Sequence, residues 1–88
     1  MEGMEPVELP LQWWAEGGYA EVARQLERHH RPGDRPVTPE RCRRLVHGLI
    51  RQRYKASGNP VWKPFGHRGY EELRRRLREN RVLDHDLV

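Results

Sequence analysis

The stretch from Thr38 to Lys55, TPERCRRLVHGLIRQRYK, constrains the fold more than any other part of the chain. Thr38 is a residue type that accepts a hydrogen bond from an unpaired N–H at a helix start. Pro39 suits the first helical position, where its missing N–H costs nothing. Cys42, Leu45, Val46, Leu49 and Ile50 then recur at the i, i+3, i+4, i+7, i+8 spacing of one helical face. With about 100° between successive residues, Arg44, His47 and Arg51 point the opposite way, flanked by Arg41 and Arg43. The pattern predicts a helix with one face in a core and a cationic ridge on the other.

Whatever holds that helix is small. The 88 residues amount to one domain. A domain of this size buries only about 60% of its unfolded surface, enough for a layer of a few helices but not for a deep catalytic cavity. The single cysteine, Cys42, excludes an internal disulfide and points to a reducing compartment. No apolar run approaches the roughly 18 residues of a membrane span, and the acidic N-terminus is unlike a signal peptide. A cytoplasmic protein that avoids membranes is expected.

Charge is distributed unevenly. Residues 1–27 sum to −5, residues 28–55 to +7 and residues 56–88 to +2, so the positive charge gathers around the basic helix. That is the footprint of a polyanion binder. Fifteen of the seventeen cations are Arg, which suits bidentate contacts to phosphate and guanine, although a GC-rich coding sequence favours Arg as well.

Around the basic helix the chain divides readily. Residues 1–12 hold two prolines and three glutamates without periodicity and read as a flexible N-terminal arm, which Trp13 and Trp14 pin to the core. Tyr19, Val22, Ala23 and Leu26 predict a first helix from about Tyr19 to Arg31. HHRPGDRPVT is a long turn. After the basic helix, Ser57-Gly58-Asn59-Pro60 is a second turn. The segment PVWKPFG then predicts one strand near Val61–Phe65 pairing with another near Tyr54–Ala56, with Trp62 or Phe65 packing back on the helices. Tyr70, Leu73 and Leu77 give a last helix from about Gly69 to Asn80, its arginines facing outward. Val82 and Leu83 extend the core before a flexible tail at 84–88. The expected fold is mainly α: a winged helix-turn-helix of three helices with a short two-stranded wing, spanning residues 13–83.

In this order, GYAEVARQL, TPERCRRLVHGLI, NPVWKPFG and GYEELRRRL resemble the small winged helix-turn-helix proteins of the MerR/excisionase superfamily, including recombination directionality factors of actinobacterial phages. The likeness covers roughly residues 14–80. It departs from the family in the length of HHRPGDRPVT, where a tight turn is usual. The resemblance implies a bacterial, DNA-associated, non-catalytic protein that bends duplex DNA and steers an integrase toward excision, with neighbouring copies on adjacent sites. It places Arg41, Arg43, Arg44, His47 and Arg51 in the DNA groove. Lys55, Lys63, His67 and Arg68 would be wing contacts, and Arg35 in the long turn a further phosphate contact.

The alternatives are a phage or prophage transcriptional regulator, and, from another class, an adaptor or inhibitor that uses the Trp pair and the Arg-rich last helix. No nucleophile–base pair, Gly-rich phosphate loop or carboxylate pair in an apolar setting suggests an enzyme or a cofactor. Cys42 and His47 point to opposite faces and no second Cys exists, so a zinc site is not expected either.

Overall fold

A computed structural model describes residues 7–79 as three helices and one short turn: α1 (Leu9–Arg28), α2 (Pro39–Ser57), a 3₁₀ turn (Pro60–Trp62) and α3 (Gly66–Arg78). α1 packs against both α2 and α3, and the 3₁₀ turn packs against α2. Leu11 and Trp14 in the first half of α1, Val22 in its second half, Cys42, Val46 and Ile50 from α2, Trp62 and Leu73 form one buried core.

α1 begins well before the expected start. Glu8 stands at its N-cap and Pro10 falls in the first turn, where a proline lacks no bond that a helix would make. Gln12 Nε2 donates to Val7 O at 2.7 Å, and Leu11 is completely buried. Residues 9–12 are therefore helical and not part of the extended arm that two prolines suggested; residues 1–6 lie outside the described part. The helix is broken once, at Gly18 (φ 72°, ψ −163°), a conformation open essentially only to glycine. The break turns Tyr19–Arg28 away from Leu9–Gly17 and lets both halves contribute to one core.

α2 starts as its sequence dictates. Thr38 Oγ1 accepts from the Arg41 N–H at 3.1 Å, and Pro39 follows. At its far end Gly58 adopts the left-handed conformation and donates its N–H to Tyr54 O at 2.7 Å, closing the helix.

The expected two-stranded wing is absent: the described residues contain no strand. Tyr54–Ala56 stay helical because RQRYKAS continues α2 as far as Gly58. Beyond it, the Asn59 side chain accepts from the Val61 N–H at 2.9 Å while Asn59 O accepts from Trp62 N at 2.9 Å. Pro60 sits at the first position of the resulting 3₁₀ turn, where its fixed φ fits and its missing N–H is not needed. Local capping thus wins over a hairpin that would have had to pair around two prolines. Of the two aromatics in this segment Trp62 is buried, with the Arg53 guanidinium 5.5 Å from its ring centre, whereas Phe65 is 93% exposed. α3 begins three residues earlier than the expected Gly69. Val82, Leu83 and the expected tail lie outside the described residues.

Candidate nucleic-acid interface

The basic helix is held in a fixed rotation by an aromatic cluster drawn from all three helices. Tyr19 Oη of α1 is 3.0 Å from His47 Nε2 of α2. On its other side the His47 ring stacks on Tyr70 of α3, with centroids 4.7 Å apart and planes 17° apart. Trp14 lies behind, tilted against Tyr19 and edge-on to Tyr70. His47 is half-buried, and the loss of solvent lowers its pKa, helped by the nearby cations Arg43 and Arg51. Burial likewise raises the Tyr19 pKa. His47 was expected on the groove-facing side; it borders that side with Arg43, Arg44 and Arg51 and is at the same time part of the joint between the helices. The 100° rule placed it opposite the core stripe correctly, but Tyr19 and Tyr70 reach around α2 and widen its buried arc.

Beside the half-buried His47, the outward face of α2 carries Arg43, Arg44, Arg51 and Lys55, all exposed. Arg44 pairs with Glu40 one turn before it at 3.0 Å, a contact largely open to solvent. Arg41 does not join this face. Its guanidinium folds back to donate to Arg35 O at 2.7 Å and Pro36 O at 3.3 Å, holding the long turn against the helix start. That turn is ordered by its own bonds as well: Arg31 N donates to Asp34 Oδ2, Asp34 N to Arg31 O, and His30 Nε2 lies 2.9 Å from Arg35 O. The Arg35 side chain remains exposed.

The four residues assigned to a wing are distributed otherwise. Lys55 belongs to the last turns of α2. Lys63 follows the 3₁₀ turn, its ammonium 5.4 Å from the centre of the Tyr54 ring. His67 and Arg68 are exposed in the first turn of α3. Tyr70, which stacks on His47, lies within a turn of both, so the start of α3 stands beside the middle of α2.

The arginines in the second half of α3, Arg74, Arg75, Arg76 and Arg78, are not a free cationic patch. Helix carbonyls near a C-terminal end lack partners within the helix, and the break at Gly18 creates such an end inside α1. Arg74 Nε donates to Trp14 O at 2.9 Å and Arg78 Nη1 to Ala15 O at 3.2 Å, while the Arg74 guanidinium lies 5.9 Å from the Trp14 ring centre. Arg75 and Arg76 both bond Glu72, whose carboxyl is held below the usual range by those two hydrogen bonds. Sequence periodicity placed Arg74 outward and missed its capping role. The signal available was Gly17-Gly18, which marked a break in a helix and hence carbonyls in need of donors.

Trp14 is buried and Trp13 half-buried, so the Trp pair is not an exposed docking surface. Cys42 is fully buried, away from His47, and no group of three or more His, Cys, Asp or Glu among the described residues is arranged to hold a metal. No helix among them is long and apolar enough to cross a membrane. No protein-family model matches the chain, and no curated protein or solved structure matches it.

Proposed function

We propose that this protein binds duplex DNA through the outward face of α2 and acts without catalysis, as an architectural or regulatory factor of the excisionase kind. The observation that supports this most is the stripe of exposed cations on one rigidly oriented helix: Arg43, Arg44, Arg51 and Lys55, with only Glu40 opposing them. A helix is of a size to enter the major groove, where Arg reads guanine edges and grips phosphates. Lys63 and Arg68, exposed beside the start of α3, add backbone contacts from a helical element and not from a wing. The excisionase role rests on the order of the helices and on the basic second helix. The adaptor reading loses support, because Trp14 is buried and Arg74 and Arg78 bind carbonyls of α1.

The test is binding to a mixed-sequence duplex as a function of salt. Six cations each neutralising one phosphate give a log–log slope of about −5.4, or a loss of roughly a thousandfold between about 50 and 200 mM salt. Absence of duplex binding at low salt refutes the proposal. An integrase-dependent excision assay then separates an excisionase, which stimulates excision, from a transcriptional regulator, which does not.

A further inference from the structure

Gly48 lies near the middle of α2, one turn after Arg44 and one before Arg51 on the stripe Arg44, Gly48, Arg51, Lys55. Glycine is a poor residue for a helix interior, because it loses the most conformational freedom on folding. Such a residue normally answers to a close neighbour or a special backbone angle. Here neither applies. A Cβ built at Gly48 meets no atom within 4 Å, and its φ is not among the positive ones. Neither α1 nor α3 needs the missing side chain.

What surrounds Gly48 is charge. Glu40, Arg43, Arg44, His47 and Arg51 line one concave patch with Gly48 in it. His47 is fixed from behind by Tyr19 and Tyr70, so this part of the patch cannot rotate away. The result is a notch in a cationic helix face, open to solvent and backed by a rigid joint. We propose that duplex DNA makes its closest approach to α2 at Gly48, with Arg43, Arg44 and Arg51 gripping the phosphates on either side of the contact. The absent Cβ lets the strand surface come up to the helix backbone, which shortens every guanidinium–phosphate contact around it. This inference rests on the DNA-binding reading and adds a point of contact within it.

The test uses the full chain with Gly48→Leu and Gly48→Ala, each measured for thermal stability and for affinity toward the same mixed-sequence duplex at low salt. Both substitutions replace glycine by a strong helix former in open space, so Tm rises by several degrees. Affinity falls in the opposite direction, at least tenfold for Gly48→Leu, which is about 1.4 kcal/mol, and less for Gly48→Ala. A more stable variant that binds less well is the signature of a side chain intruding on an interface. If the unsubstituted chain binds duplex and Gly48→Leu binds it equally well, the close approach is refuted while DNA binding stands. If the unsubstituted chain binds no duplex, both are refuted. A fall in Tm refutes the premise that Gly48 faces open space.

Discussion

Arg74→Met removes the guanidinium that joins α3 to the broken helix α1 and keeps most of the aliphatic stem. The side chain is 20% exposed and donates through Nε to Trp14 O at 2.9 Å, with its charge near the Trp14 ring. A hydrogen bond from a charged donor contributes about 1.5–3 kcal/mol, and a partly desolvated cation–π contact about 0.5–1 kcal/mol. The Glu71 contact, at 3.4 Å to a half-exposed carboxylate, adds little. Some of the loss is recovered if water reaches the carbonyl, which leaves a net cost of about 2 kcal/mol. For a domain of this length that lowers Tm by roughly 8–16 °C. Arg75→Met is the control. Arg75 makes two ion pairs where Arg74 makes one, but to the half-exposed Glu72 and to Glu79 just past the helix end, so its replacement leaves Tm nearly unchanged. Differential scanning calorimetry of the two variants decides the matter. Equal Tm values would show that Arg74 does not cap α1, and the account of the Gly18 break would fall with it.

Gly18→Ala forces a side chain onto φ 72°, ψ −163° and costs about 1–3 kcal/mol of strain, measurable by urea denaturation with an unchanged m-value. The folded His47 pKa is depressed, so the unfolded chain binds a proton that the folded chain refuses. Stability is complete above the unfolded value near about 6.5 and declines as pH falls through the lower folded value. His47→Gln keeps an acceptor for Tyr19 without titrating, and denaturation across this range will show a shallower decline than in the parent chain. On DNA, Arg44→Ala lowers the magnitude of the salt slope by about one, whereas Arg41→Ala, which loses only its bonds to Arg35 O and Pro36 O, leaves the slope unchanged.

The parts of this fold that the sequence announces are those governed by neighbours along the chain. Thr38-Pro39 starts α2, Cys42, Val46 and Ile50 face the core, and Tyr70, Leu73 and Leu77 line α3, all as their spacing requires. The features it hid depend on groups far apart in the chain or on a contest between local solutions. Tyr19, His47 and Tyr70 meet only because three helices converge, and no window of one helix contains that information. The apparent wing was decided by Asn59 and Pro60, which satisfy the turn locally before any strand can pair. Within the candidate site, Arg43, Arg44 and Arg51 were legible as an outward ridge, whereas Lys55, expected in the wing, extends that ridge from the last turns of α2. The anchoring of His47 by Tyr19 and Tyr70 and the retreat of Arg41 toward the connecting turn were not.

Cys42 gives the molecule a built-in clock. Its thiol has no accessible surface, lies on the seam of the shared core, and has its pKa raised by burial. Thiolate is the form that reacts with alkylating agents, so the folded chain is protected twice, by access and by charge state. Modification requires α2 to part from the core, and the rate at which a maleimide consumes the single thiol counts those openings directly. Tight binding of any partner along the opposite face of α2 holds the helix in place and slows that rate, with no label added and no residue changed.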